Sequence, residues 1–336
     1  MRRLGGRTHS TRLKPDTPLA TSSQLEPGLV VAGHGRHVWV ETDDGRRLIC
    51  HPRGKKSQSV VGDRVLWQAT EDEGTIEKVE PRRNLFYRQD EIRTKSFAAN
   101  LDQVLILIAA EPEYSESQLA RALIAAEAER IRPIIALNKS DLLQPFAQAW
   151  DRLAVFRDMG YTVLPLALKP RRRQEENKEE APTTACDIHV LTPLLAGKTT
   201  LVLGPSGVGK STLINRLVPG AQVLTNEIST ALNSGKHTTT STSLYWVDRA
   251  TNTAVIDSPG FQEFGLNHID PMHLAGLMPD IKAFASDCKF YNCTHLHEPG
   301  CGVISTLKST PSPSGISARR YKIYSDLFAE LSQKRY

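Results

Sequence analysis

The chain has 336 residues, 40% of them hydrophobic and 24% charged, with a net charge of +5; these values fit a soluble globular protein with room for two or three domains. No run of eighteen apolar residues occurs, so no membrane-spanning helix and no membrane partner are expected. The basic N-terminus lacks an apolar segment behind it, which argues against a secretory signal and predicts a cytoplasmic protein.

Residues 1–26 read as a disordered basic arm. Arg2, Arg3, Arg7, Arg12 and Lys14 fall within fifteen residues that hold no acid, a composition that cannot build a core and that reads either as a solvated tail or as an electrostatic foot for nucleic acid. From residue 27 to 83 five short β-type runs follow: Leu29-Val30-Val31, His37 to Val40, Arg47 to Cys50, Arg64 to Trp67 and Thr75 to Val79. Glycine and aspartate turns separate them, which predicts a small closed barrel of the OB type. Such barrels hold RNA on a basic and aromatic face. Trp39, Arg36, Arg46, Arg47, Arg53, Lys55 and Lys56 could furnish one; equally, Trp39 and Trp67 could be core. Pro81-Arg82-Arg83-Asn84 reads as a linker.

Gln103 to Ala109 is a continuous apolar run, typical of a parallel strand buried on both faces. Ser115-Glu116-Ser117-Gln118 has the form of a capping box and opens a helix. A second buried strand, Pro133 to Leu137, runs into Asn138-Lys139-Ser140-Asp141, at the carboxyl end of a strand where ligands of parallel sheets sit. This tetrapeptide is suited to reading guanine. The Asp141 carboxylate can accept from the ring N1–H and the exocyclic amine, a pair of donors adenine lacks; the Lys139 stem covers one base face, and Asn138 braces the loop. An unpaired buried carboxylate costs about 1–3 kcal/mol or more, so discrimination against adenine can be large. A helix over about 144–159 and a strand over 161–166 are expected next, followed by a charged surface insertion over 169–186.

The strongest signal is Gly204-Pro205-Ser206-Gly207-Val208-Gly209-Lys210-Ser211-Thr212, a phosphate loop between the strand Thr199 to Leu203 and a helix carrying Leu213, Ile214 and Leu217. Glycines let successive N–H groups turn inward, the helix N-terminus adds partial positive charge and Lys210 adds a full one. Ser211 is the expected Mg²⁺ ligand. A polar stretch with Gly235-Lys236-His237-Thr238-Thr239-Thr240 follows, and two further strands lead to Asp257-Ser258-Pro259-Gly260. There Asp257 reads as the acid on the Mg²⁺ side, and Gly260 as an N–H aimed at the γ-phosphate.

The order of these motifs is inverted. In an ordinary GTPase the phosphate loop precedes the Asn-Lys-x-Asp element; here it follows by more than sixty residues, which indicates a circular permutation of one sheet. Downstream, Cys288, Cys293, His295 and Cys301 are spaced C-x4-C-x-H-x5-C. Three thiols and an imidazole suit one tetrahedral structural Zn²⁺, and His297 is an alternative to His295. Tyr321, Tyr324, Leu327 and Leu331 recur at helical spacing among Arg319, Arg320 and Lys322, which predicts a terminal amphipathic, basic helix.

With barrel, permuted GTPase motifs and zinc spacing in that order, the chain over about residues 28–336 resembles the ribosome small subunit-dependent GTPase A family, also called RsgA or YjeQ. The resemblance implies a multidomain α/β protein: an OB-type barrel (27–83), a circularly permuted GTPase domain (84–264) and a mainly helical zinc-binding domain with a C-terminal helix (265–336). It implies GTP hydrolysis stimulated by the small ribosomal subunit in late maturation of that subunit, with rRNA as partner and Mg²⁺ accompanying the nucleotide. Guanine recognition then falls on Asn138, Lys139 and Asp141, phosphate binding on Gly204 through Thr212, and zinc on Cys288, Cys293, His295 and Cys301. Where the family has a Ser-Ala-like element supporting the base, this chain has Leu166-Ala167-Leu168-Lys169. After Gly260 stands Phe261, which cannot orient water, so slow intrinsic turnover is expected. His237 is the candidate catalytic residue once its loop is ordered by the ribosomal subunit, and one of Thr238, Thr239 and Thr240 is expected to complete the Mg²⁺ shell. Neither DNA binding nor a subunit interface is expected. A nucleotide-gated RNA-binding module is the competing reading; a metabolic kinase would leave Asn138 to Asp141 without a role.

Overall fold

The structure is a computed structural model and describes residues 25–34, 37–54, 59–70, 73–89, 94–168, 188–221, 223, 242–260, 264–308 and 315–333. The basic arm up to residue 24, the 169–186 insertion, His237, Thr238, Thr239, Thr240 and Phe261 lie outside the described residues.

All five N-terminal runs are strands: β1 (Glu26–His34), β2 (His37–Glu41), β3 (Arg47–Pro52), β4 (Arg64–Ala69) and β5 (Gly74–Val79). They lie in the order β1-β2-β3-β5-β4, and β4 returns to pair with β1, so the barrel closes. Alternation along each strand sends Val30, Val38, Val40, Cys50, Val65, Trp67 and Ile76 inward. Trp67 is therefore core, its indole donating to the Pro27 carbonyl at 3.4 Å, while Trp39 stays exposed on the surface. Of the candidate basic face, Arg36, Lys55 and Lys56 lie outside the described residues; Arg46 pairs with Asp44 and Arg47 with Glu41, at 2.6 and 2.7 Å, and Arg53 with Glu77 at 2.5 Å. The Arg46–Asp44 pair is exposed on both sides and weak, so Arg46 can exchange its partner for phosphate at small cost.

Residues 81–84 are not a loose linker. Arg82 clamps the fully buried Asp63 with two hydrogen bonds of 2.7 and 2.8 Å, and the Asn84 amide exchanges bonds of 2.9 Å with the Leu101 backbone. A hairpin the sequence did not suggest follows, β6 (Leu85–Gln89) and β7 (Thr94–Ala99). Its apolar face is completed from far away in the chain: Phe86 and Phe97 pack on Phe264 with ring centroids 5.8 and 6.1 Å apart.

The central sheet places β10 (Thr162–Pro165), β9 (Arg132–Asn138), β8 (Gln103–Ala109), β11 (Thr199–Leu203) and β13 (Thr253–Asp257) side by side and parallel. β12 (Ser243–Asp248) runs antiparallel at the edge and touches β1 through Ala32 and Ser243, so barrel and sheet are continuous. Burial on both faces is explicit along β8. Val104, Ile106 and Ile108 join the core shared with helix α1 (Glu116–Ala128), whereas Leu105, Leu107 and Ala109 join a second core that includes Leu213 of a later helix.

Ser115 caps α1, its hydroxyl accepting from the Gln118 N–H at 3.3 Å. The helix expected over 144–159 breaks into α2 (Leu143–Arg152) and α3 (Ala154–Asp158) at the fully buried Leu153. The Leu153 N–H bonds to Trp150 O at 3.1 Å, a tighter turn, and the Arg157 guanidinium takes the same carbonyl at 3.0 Å. Short α4 (Thr192–Leu195) and α5 (Lys210–Leu217) follow.

The C-terminal part holds α6 (Pro279–Ala285), α7 (Gly302–Lys308) and α8 (Ala318–Ser332). Tyr324, Leu327 and Phe328 of α8 are buried in the same core as α1. The basic residues of α8 are engaged within the protein. Arg320 forms two bonds to Asp280 at 2.8 and 3.0 Å, Arg319 pairs with Glu116 at 2.8 Å and Lys322 with Asp326 at 3.1 Å. The helix thus clamps the C-terminal part onto the sheet domain, with Arg121 of α1 gripping Glu330 as a further tie. Among the described residues no helix is long and apolar enough to cross a membrane.

Candidate nucleotide site and metal centre

Asn138 ends β9, the phosphate loop leaves β11 and Asp257 ends β13. All three therefore meet at the carboxyl edge of the sheet, the place where parallel sheets bind ligands. Asn138 joins two of them directly. Its side-chain Nδ2 donates to the Val208 carbonyl of the phosphate loop at 2.8 Å, and its Oδ1 accepts from the Leu168 N–H at 3.1 Å. Lys139 adopts a left-handed backbone, φ +70°, and the Ser140 N–H bonds to Leu166 O at 3.0 Å. The Leu166–Leu168 segment, with both leucines buried, thus braces the Asn138 loop through its backbone. Asp141 follows, half-buried.

The loop itself is shaped by its glycines. A Cβ at Gly204 would stand 2.2 Å from Leu107 O, and Gly209, at φ +107°, would bring one to 2.7 Å from Asn138 Nδ2. Lys210 opens α5 with its ammonium buried and donating to Gly204 O and Pro205 O, both at 2.8 Å. Burial pulls its pKa down to about 8, against the opposing pull of the Asp257 charge. Ser211 and Thr212 lie half-buried in the same first turn. On the neighbouring strand Asp257 is buried, and a Cβ at Gly260 would lie 3.2 Å from Lys210 Nζ and 3.3 Å from Ser206 N. Ser258, which carries no role in the sequence reading, donates its hydroxyl to Val202 O at 2.7 Å and ties the Asp257 loop to β11. A hydroxyl directly after a strand-ending acid was the available signal.

Cys288, Cys293, His295 and Cys301 come together with one donor atom each, all within 4.8 Å of one another. The His295 Nδ1 lies 3.4 Å from Cys288 Sγ and 3.5 Å from Cys301 Sγ, and those two sulfurs are 3.8 Å apart. Tetrahedral zinc with ordinary bond lengths needs about 3.5 Å between nitrogen and sulfur and about 3.8 Å between sulfurs. The donor set and its spacing fit. His297 is exposed and outside the cluster, which decides for His295. Surrounding groups fix the ligands: Gly302 N–H points at Cys288 Sγ (3.4 Å), and the α8 phenols Tyr321 and Tyr324 donate to His295 O and Thr294 O, each at 2.8 Å.

The family model of the RsgA GTPases matches residues 79–267. The chain belongs to the RsgA GTPase family. It is 72% identical over 312 residues to the small ribosomal subunit biogenesis GTPase RsgA of Variovorax paradoxus (strain S110), covering 93% of this chain and 94% of that one. With the protein of the same name from Paraburkholderia xenovorans (strain LB400) it shares 47% over 324 residues, covering 95% and 98%. Among solved structures, YjeQ from Thermotoga maritima superposes with a TM-score of 0.68 at 29% identity, over 93% of this chain and all of that one. YloQ, described as a circularly permuted GTPase, gives 0.64 at 25% identity over 95% and 100%. The RsgA permutation is visible in the sheet itself: β9, with the Asn-Lys-x-Asp element, precedes β11 and its phosphate loop in the chain, yet only β8 separates them in space.

Proposed function

We propose that the chain hydrolyses GTP to GDP and phosphate in the late maturation of the small ribosomal subunit, and that the subunit and its rRNA stimulate the reaction. The observation that carries the nucleotide reading is the Asn138–Val208 bond, which holds a guanine-reading loop against a phosphate loop. In this reading Asp141 takes the guanine N1–H and amine, Lys139 covers the base, and Asn138 with Ser140 sets the loop. The N–H groups of Gly204 to Thr212 and the Lys210 ammonium take the phosphates, and Gly260 faces the γ-phosphate.

Ser211 and Asp257 would hold Mg²⁺, which neutralises phosphate charge as it moves to the leaving oxygen. His237 is the proposed catalytic residue, orienting water where Phe261 cannot. The Cys288, Cys293, His295 and Cys301 metal is proposed to be structural zinc. The working parts are a barrel over 27–83 and the basic arm before it for RNA, a permuted GTPase domain over 84–264, and a zinc-binding domain over 265–336, in a cytoplasmic monomer.

The test is GTP hydrolysis with and without purified small subunits, with large subunits and ATP as controls. Stimulation by small subunits alone is expected, and lost in His237→Ala. Tight guanine nucleotide binding without stimulation would favour the RNA-binding module, in which turnover is incidental.

A further inference from the structure

A second cluster of metal-ligating side chains lies on the barrel, far in sequence from the Cys3His centre and without a role in nucleotide chemistry. His37, His51 and Glu73 each present one donor atom, all within 4.8 Å of one another.

Their convergence follows from strand register. β2 and β3 pair antiparallel with Val38 opposite Cys50, so the adjacent pair is His37 opposite His51. Cys50 points into the barrel core, and alternation turns His51 outward. In the parallel β3–β5 pair His51 sits opposite Thr75, and Glu73, two residues before Thr75 and so on the same outer face, reaches His51 diagonally. The two imidazoles meet edge to face with centroids 4.4 Å apart, and His51 Nε2 contacts the Glu73 carboxylate. The Glu73 carbonyl accepts from the Thr70 N–H at 2.7 Å and the Thr70 hydroxyl at 2.6 Å, which fixes the backbone behind the carboxylate. Two donors thus project from the neighbouring strands β2 and β3 of a closed barrel, and the third from the bend that leads into β5.

We infer that His37, His51 and Glu73 form a second divalent-metal site on the outer face of the barrel, selective for a borderline ion of the Zn²⁺ class. Two imidazoles and one carboxylate are a zinc-type donor set, and imidazoles disfavour Mg²⁺ and Ca²⁺, which take oxygen. Cys50 is not a fourth ligand: its thiol is buried in the barrel core, on the opposite face of β3. Among the described residues no fourth donor joins the cluster, so the ion exchanges more readily than one enclosed by four protein ligands. Bound there, it crosslinks β2, β3 and the start of β5 and stabilises the barrel in proportion to its free concentration.

The test uses the full chain without a histidine tag, its Cys3His site loaded, equilibrated against buffered micromolar free zinc and assayed for metal by elemental mass spectrometry. Two equivalents per chain are expected for the wild type and one for His37→Ala and for His51→Ala, with Glu73→Gln weakening the second. Zinc should raise the melting temperature of the wild type further than that of either histidine variant. His37 is exposed, so His37→Ala keeps the barrel core intact even if His51→Ala does not fold. A single equivalent in the wild type, or a second one that survives in His37→Ala, would overturn the assignment.

Discussion

The side chain of Asn138 donates to the carbonyl of Val208 at 2.8 Å, so two motifs lying seventy positions apart share one hydrogen bond. Its other end is occupied by Leu168 N–H, and the residue is buried. Asn138→Ala removes both bonds and strands a carbonyl and an N–H away from water. The affinity for GTP and GDP alike should fall about tenfold or more, corresponding to roughly 1–3 kcal/mol. Titration with a fluorescent guanine nucleotide measures it. An effect confined to the base, with inorganic phosphate competition unchanged, would show that the bond does not couple the loops.

Gly209 should tolerate nothing larger. Its φ of +107° and the 2.7 Å approach of a built Cβ to Asn138 Nδ2 mean that Gly209→Ala strains the backbone and pushes the same amide away. Strain of this kind costs about 1–3 kcal/mol. The variant should resemble Asn138→Ala in nucleotide affinity while keeping the metal-binding capacity of the Cys3His cluster, which separates a local effect from unfolding.

Nucleotide binding should be linked to protons through Lys210. The free protein holds this pKa at about 8, below the ordinary 10.5, chiefly by burial. Phosphate oxygens favour the ammonium, so the pKa rises in the complex. Below pH 8 both forms are protonated and affinity is flat; as pH rises above 8 the free protein loses the proton first and affinity falls. Calorimetric titrations at pH 9 in buffers of different ionisation enthalpy should show proton uptake on binding, absent in Lys210→Met.

Loss of the metal should loosen more than the cysteine knuckle. Cys293 and Cys301 belong to the same apolar core as α1 and α8, and Tyr321 and Tyr324 of α8 bond to the ligand loop. Cys301→Ser is expected to lose the ion and lower the melting temperature. Tyr324→Phe keeps the ion but releases it faster to a chelator, consistent with one lost bond of about 1 kcal/mol.

Asp280 and Arg320 form a buried ion pair, the side chains 8% and 3% exposed. Arg320 also lies over the Phe156 ring at 5.3 Å, joining the C-terminal part to the sheet domain. Asp280→Ala leaves that charge buried and unpaired, and should destabilise the fold by roughly 3–5 kcal/mol. Chemical denaturation of Asp280→Ala beside an Asp280→Ala/Arg320→Met double variant checks it, since removing both charges should recover much of the loss.

Local signals made much of this molecule legible in its sequence. Five barrel strands, the buried strands of the central sheet, the Ser115 cap and the Cys3His cluster each follow from residues close together in the chain. What escaped depends on distant partners. The β6–β7 hairpin buries its apolar face against a residue far along the chain, Phe86 and Phe97 packing on Phe264. Likewise the arginines of α8 look like a free basic face until Glu116 and Asp280 are found across the fold. The Leu166–Leu168 brace acts through backbone groups, which side-chain patterns do not reveal.

If Asn138 to Asp141 and Gly204 to Thr212, in inverted order, make one guanine nucleotide site, base selectivity and phosphate binding must fail through either motif. Competitive binding of GTP, GDP and ATP to the wild type, Asp141→Ala and Lys210→Ala measures this most directly. One guanine nucleotide per chain, no competition from ATP and weakened binding in each variant are expected. ATP competing as well as GTP, or Asp141→Ala binding GTP like the wild type, would contradict it.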